Sequence, residues 1–142
     1  MIKEKTTFKS DFDGLEISCL TFVPDGQPKK IVQLVHGMTE YKERYEEFME
    51  YLCNKGYIVA IHDHRGHGKS AKDKADLGYM YDKTGVAIVN DANQFTKILK
   101  EKYPNLPVVL FGHSMGSLVV RSYLREHDDE IEKLIVCGAP YE

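Results

Sequence analysis

The sequence predicts an α/β fold: a mostly parallel sheet with helices on both faces, entered through an N-terminal antiparallel hairpin. Three observations predict it. Four short, nearly continuous apolar runs, IVQLVHG (31–37), YIVAIHD (57–63), PVVLFGH (107–113) and KLIVCGA (133–139), suit strands buried on both faces of a parallel sheet. Segments with apolar residues at helical spacing lie between them, which is the order of right-handed βαβ crossovers. Ahead of the first run, residues 14–23 alternate apolar and polar instead.

Taken in order, GLEISCLTFV (14–23) places Leu15, Ile17, Cys19 and Thr21 on one side, the pattern of a strand with one buried face. FKS before DFDG reads as the other arm of a hairpin, with Asp13-Gly14 as the turn. PDGQPKK (24–30) is a loop. The first helical pattern has Tyr45, Phe48, Met49, Leu52 and Cys53 at i, i+3, i+4, i+7 and i+8, stopped by Lys55-Gly56. The second repeats Ile88, Ala92, Phe95 and Leu99. The third opens at Ser114 and carries Leu118, Val119, Tyr123 and Leu124 before the polar EHDDE. Residues 64–84 form the one long irregular stretch, and loops of that length are more often functional than idle. With no repeat, low-complexity tract or linker, residues 1–142 read as a single domain.

A chain of 142 residues can build one core that buries roughly two thirds of its unfolded surface. At 42% hydrophobic and 29% charged residues, with a net charge of -3, the composition is that of a globular protein. No basic excess argues for nucleic acid. The first residues, MIKEKTTFKS, lack the apolar stretch of a signal peptide, and no apolar run approaches the roughly 20 residues of a membrane span. The cytoplasm is the default location. Cys19, Cys53 and Cys137 are odd in number, widely spaced and set in apolar segments, so they read as reduced core residues.

The chemistry concentrates at Gly112-His113-Ser114-Met115-Gly116. In a G-x-S-x-G turn the serine sits on a sharp strand-to-helix bend, and the glycines leave room for that bend. The hydroxyl is exposed, and the helix that starts there directs free N–H groups and its positive dipole end at the site. The N–H of Met115 is then placed to stabilise an oxyanion. The bland alternative is a tight loop with serine as a helix N-cap. Context favours the nucleophile: the motif follows a predicted strand, opens an amphipathic helix, and is preceded by a His-Gly turn in LVHGM, where the N–H of Met38 supplies a second donor.

On LVHGMTEYKERYEEF (34–48), IHDHRGHGKS (61–70) and LFGHSMGS (110–117), three motifs in the right order, the chain resembles the α/β-hydrolase family over nearly its whole length. Within it the resemblance is to monoacylglycerol lipases and lysophospholipases. It implies that Ser114 is the nucleophile and that the backbone amides of Met38 and Met115 form the oxyanion hole. It further implies that His36 and Gly37 shape the turn presenting Met38, that Gly112, His113 and Gly116 support the elbow, and that Asp63 to Ser70 is a structural loop. The implied reaction is attack on an ester carbonyl, collapse to an acyl-enzyme and hydrolysis, with no cofactor and no metal. The implied partner is a small-molecule ester, a monoglyceride or lysophospholipid. Serine at the elbow sets the chain apart from aspartate-nucleophile members such as haloalkane dehalogenases and soluble epoxide hydrolases.

In this family the acid and histidine of the triad follow the nucleophile after later strands. The fold class therefore narrows to an incomplete α/β-hydrolase core lacking the lid and last strands, and residues 1–142 to its N-terminal portion. After Ser114 the only histidine is His127, about 20 Å along the same helix and expected at a solvated end. His64 and His67, on the loop after a strand, are the substitutes to consider. His36 and His113 belong to the turns themselves, and His62 is expected as a satisfied polar residue at a strand rim. The chain is thus expected to be a part left by truncation or proteolysis, whose sheet edge at 134–139 needs the missing C-terminal half or another chain to cover it. Alone it should be almost inactive, because removing the histidine of a serine triad costs on the order of 10⁶ in turnover.

Two rivals stand beside this reading. His62-x-His64-x-x-His67 resembles the H-x-H-x-D-H run of zinc-binding metallo-β-lactamase-like hydrolases, although Gly66 stands where the aspartate would be. The other rival is a non-catalytic module that binds a ligand on the same fold.

Overall fold

The computed structural model describes residues 1–37, 40–71, 86–113, 115–127, 129 and 131–137. Strands β1 (Ile2–Lys9) and β2 (Glu16–Val23) pair antiparallel, from Ile2 opposite Val23 to Lys9 opposite Glu16. The connection is not the tight Asp13-Gly14 turn that the sequence suggests. It is a longer loop over 10–15, closed by Ser10 N–H to the Leu15 carbonyl and Gly14 N–H to the Ser10 carbonyl, both 2.8 Å. Asp13 is taken up by the loop itself, accepting from Leu15 N–H at 3.1 Å, and by a buried arginine described below.

The chain then alternates: β3 (Ile31–Val35), α1 (Glu46–Asn54), β4 (Ile58–His62), α2 (Val86–Lys102), β5 (Val108–His113), α3 (Met115–His127) and β6 (Lys133–Cys137). Short 3-10 turns at Lys42–Tyr45 and Gly68–Ser70 precede α1 and follow β4. The six strands run β1-β2-β4-β3-β5-β6 across one sheet. β2 pairs antiparallel with β4, and β4, β3, β5 and β6 are mutually parallel. All five residues of β3 and of β4 are buried, as their continuous apolar runs require.

Helices cover both faces. Met49 and Cys53 of α1 meet Leu20, Phe22, Val32, Leu34, Val59 and Ile61. On the opposite face Phe95 and Leu99 of α2 meet Ile17, Cys19, Ile31, Ile58 and Val108. There Ile88 and Ala92 of α2 join Val119, Val120 and Tyr123 of α3 over Val35 and Leu110. Each fully buried aliphatic side chain is worth about 1.5–3 kcal/mol. Gln33, a polar residue in the buried strand β3, is satisfied by α2: its amide donates to the Ala92 carbonyl at 3.1 Å and its oxygen accepts from Thr96 Oγ1 at 2.6 Å. The Lys55-Gly56 stop of α1 works through Gly56 at φ +98°, a conformation that favours glycine.

Three expectations are corrected. β2 is buried on both faces, because helices cover both: Ile17 and Cys19 face α2, and Leu20 and Phe22 face α1. Phe48, counted on the buried face of α1, is exposed and lies with its ring 5.4 Å from Phe111. Cys19 and Cys53 are buried free thiols, and burial pushes Cys19 up to about 12. Cys137, however, is exposed, since β6 is the edge strand and Ile135 and Val136 beside it are exposed as well. Among the described residues no helix is long and apolar enough to cross a membrane.

Candidate active site

The parallel strands β3, β4 and β5 end on the same edge of the sheet, and ligands of open α/β sheets bind at that edge. Most candidate residues named from the sequence lie at that edge: His36 and Gly37 just after β3, the 63–70 loop after β4, and Gly112, His113, Met115 and Gly116 around the β5–α3 junction. Met38 and Ser114 lie outside the described residues.

The β5–α3 junction is abrupt. β5 runs to His113 and α3 starts at Met115, so residue 114 alone separates strand from helix. The two glycines are explained by what surrounds them. A Cβ on Gly116 would stand 2.1 Å from the Val35 carbonyl oxygen and 2.7 Å from that of His36, and one on Gly112 would stand 2.6 Å from the Gly116 carbonyl oxygen. Helix α3 therefore rests its first turn directly on the end of β3. Its N-terminal N–H groups, with the positive end of the helix dipole, face the same edge, which is chemistry suited to holding an anion or a developing negative charge.

The turn after β3 is fixed from two sides. His36 is fully buried, and its Nε2 accepts the His64 N–H at 2.9 Å, which assigns the ring proton to Nδ1; that proton is donated to the Gly37 carbonyl at 2.7 Å. His64 returns the bond, its Nε2 lying 2.9 Å from the His36 carbonyl oxygen. The loops after β3 and β4 are thus cross-tied by reciprocal bonds. Glu40 N–H also reaches the Gly37 carbonyl, at 3.3 Å.

Two buried charge clusters organise the loop after β4. Asp63, wholly buried, accepts from Lys42 Nζ and from the Lys42 N–H, each at 2.8 Å, and from the Lys69 N–H at 3.0 Å. Burial would lower the Lys42 ammonium, but its bonds to Asp63 and Glu43 outweigh that and hold it above its ordinary value. Gly68, at φ +48°, is required here, because a Cβ would fall 2.5 Å from the Asp63 carboxylate. Arg65 is the second centre: Nε donates to Asp91 at 2.8 Å, while Nη1 and Nη2 grip Asp13 at 3.0 Å each. Ser10 Oγ completes it, donating to Asp91 at 2.6 Å. Arg65 thereby ties the hairpin loop, the β4 loop and α2 together.

The histidines divide by burial. His62, expected as a satisfied rim residue, is instead fully buried with neither ring nitrogen bonded among the described residues. It packs edge-on against Phe95 and His64, with ring centroids 5.5 and 5.3 Å away, and burial drives it down to about 3. His67 Nδ1 bonds the Arg65 carbonyl at 3.1 Å. Among the described residues no group of three His, Cys, Asp or Glu is arranged to hold a metal ion, and the rings of His62, His64 and His67 meet one another edge-on. His113 is partly exposed, with Nδ1 3.1 Å from Glu40 Oε1. His127, expected in solvent, is half-buried at the far end of α3 with its ring 5.2 Å from that of Tyr123.

Sequence reasoning missed Glu40, Lys42 and Tyr45. All three fall in TEYKERY, where the sequence pattern assigns Glu40 and Lys42 no role and Tyr45 only a place on the apolar face of the first helix. The signal that was available is the buried Asp63 of IHDHRG: a carboxylate at the end of a buried strand needs a cation, and Lys42 supplies it.

A family model described as serine aminopeptidase, S33, matches residues 26–142. Human monoglyceride lipase is 35% identical over 107 residues, which is 75% of this chain and 34% of that protein. A monoacylglycerol lipase of Mycolicibacterium smegmatis is 30% identical over 125 residues, 88% of this chain and 43% of that protein. In structure, a thermostable carboxyl esterase from Bacillus coagulans superposes with a TM-score of 0.90 at 36% identity, over 97% of this chain and 44% of the esterase. The chain therefore spans about a third to two fifths of the length of the curated relatives named here.

Proposed function

Because the chain belongs to the α/β-hydrolase family, in the group described as serine aminopeptidase, S33, and in its monoglyceride lipase-like branch, we propose that it carries the nucleophile and oxyanion half of a serine hydrolase for lipid monoesters. The substrate class is a monoglyceride or lysophospholipid. The observation that carries this reading is the β5–α3 junction, where residue 114 alone separates strand from helix and neither flanking glycine can take a side chain.

In this reading Ser114 Oγ gives its proton to a base and attacks the ester carbonyl carbon. The oxyanion is held by the N–H groups of Met38 and Met115; the C–O bond breaks, the alcohol leaves, and water releases the fatty acid from the acyl-enzyme. His36 and Gly37 support the first donor: the Gly37 carbonyl is held by His36 and Glu40, and holding one side of a planar peptide also directs its other side. Gly112 and Gly116 give the elbow its space, and His113 anchors its strand side.

None of the six histidines suits the role of base. His36, His64 and His67 are buried in the turns and loops, His62 is buried at the end of β4, and His127 is at the far end of α3. His113 adjoins Ser114, but its Nδ1 is engaged by Glu40. The base and its acid are therefore assigned to polypeptide outside these 142 residues, which form the N-terminal portion of the core. The open edge at 134–137, the described part of the edge expected at 134–139, is where that polypeptide, or another chain, pairs.

A fluorophosphonate probe tests the reading. Applied to the chain with and without the polypeptide that supplies the base, it should label Ser114 only in the combined form, with ester turnover reduced about 10⁶-fold in the chain alone. Ser114→Ala should abolish labelling and hydrolysis with the fold intact. Labelling in neither form would favour a binding module.

A further inference from the structure

One carboxylate joins the turn after β3 to the end of β5, and no step of the reaction above passes through it. Glu40 Oε1 accepts from Gly37 N–H at 2.6 Å, from the Tyr45 hydroxyl at 2.8 Å and from His113 Nδ1 at 3.1 Å. These donors come from the turn itself, from the 3-10 turn that leads into α1, and from the last residue of β5, next to position 114. The Glu40 side chain is only 15% exposed. Burial would raise its carboxyl, yet the bonds from Tyr45, His113 and Gly37 outweigh burial and hold it below its ordinary value. It is therefore an ionised acceptor, and bonds to an ionised acceptor are shorter and about twice as strong as neutral ones.

We propose that Glu40 is a positioning residue whose carboxylate fixes the Gly37 turn against the last residue of β5, keeping the two sides of the oxyanion site in register. The proposal rests on the serine-hydrolase reading and gives Glu40 no contact with reacting atoms. Oxyanion donors act through preorganisation, and a misplacement of about 1 Å costs on the order of 100-fold in rate. A carboxylate that binds both walls of the site suppresses such a displacement. It also explains why a glutamate within a polar surface run turns inward.

Two variants and two measurements test it. In the 142-residue chain, amide hydrogen exchange at Gly37 should accelerate about tenfold or more in Glu40→Ala, without matching acceleration in β3 or α2. Glu40→Gln, which keeps the size of the side chain and one acceptor, should show a smaller acceleration. Unchanged exchange at Gly37 in both variants overturns the proposal. In the form that a fluorophosphonate labels, the limiting labelling rate should fall about 10- to 100-fold in Glu40→Ala, with the half-saturating probe concentration within about threefold of wild type. Glu40→Gln should recover part of that rate. Undiminished labelling in Glu40→Ala, or a loss confined to probe affinity, overturns the proposal and leaves Ser114 as nucleophile. Labelling that survives Ser114→Ala overturns the nucleophile instead, and hydrogen exchange then decides Glu40 alone. Should Glu40→Ala not fold, wild-type values for Glu40→Gln in both measurements overturn the proposal.

Discussion

Gly116 is the position where one added methyl group meets the least forgiving neighbour, a backbone carbonyl that cannot rotate away. Gly116→Ala should cost about 3 kcal/mol or more, as overpacking against fixed atoms does, and urea unfolding would register it as a lower midpoint with an unchanged slope. His62 sets a second expectation. Its folded form titrates near 3 against an ordinary value of 6.5, and His36 and His64 are lowered too, all chiefly by burial. Below pH 6.5 the unfolded chain therefore binds protons that the folded chain refuses. Stability is fully present above pH 6.5 and falls as the pH drops toward 3, by up to about 1.4 kcal/mol per pH unit for each such histidine. Unfolding titrations between pH 7 and 4 measure this slope, and His62→Leu should flatten it by about one proton. The burial of these rings was not legible in the sequence, because His36 and His64 stand in segments that read as turn or loop and His62 at the rim of a strand, where a polar residue is expected to reach solvent.

Among the elements, α2 was the easiest to read. Ile88, Ala92, Phe95 and Leu99 recur at helical spacing, and all four are buried against the sheet. β2 misled, because its alternation at Leu15, Ile17 and Cys19 is real but Leu20 and Phe22 fill the other face equally well. The loops carried the least signal and hold much of the organisation. Arg65 joins two of them to helix α2 while fully buried, and removing one partner of such a cluster leaves an unpaired charge inside the protein. Arg65→Met should cost about 3–5 kcal/mol in chemical denaturation. Arg65→Lys should restore only part of that, since an ammonium cannot grip Asp13 with two parallel bonds while reaching Asp91.

At the scale of the whole molecule, the asymmetry of the sheet matters most. One end is the β1–β2 hairpin, and the other is β6, with Ile135, Val136 and Cys137 exposed at an open parallel edge. Unpaired edges with apolar side chains associate. The isolated chain should self-associate with rising concentration in light scattering under reducing conditions, and Ile135→Lys should shift the onset to concentrations about tenfold higher. Association unaffected by that charge would place the sticky surface elsewhere.

The sequence by itself determined the alternation of strands and helices, the order of the three motifs and the glycines that flank Ser114, because periodicity and turn chemistry are local properties written in neighbouring residues. Only the tertiary structure decided that Lys42 belongs to Asp63, that Arg65 gathers Asp13 and Asp91, and that Glu40 spans the gap between Gly37 and His113. These partners lie from 21 to 73 residues apart along the chain, apart from the local Glu40–Gly37 bond. Which charged side chain turns inward depends on a counter-charge brought to it by folding, and a charge on its own carries no mark of that partner.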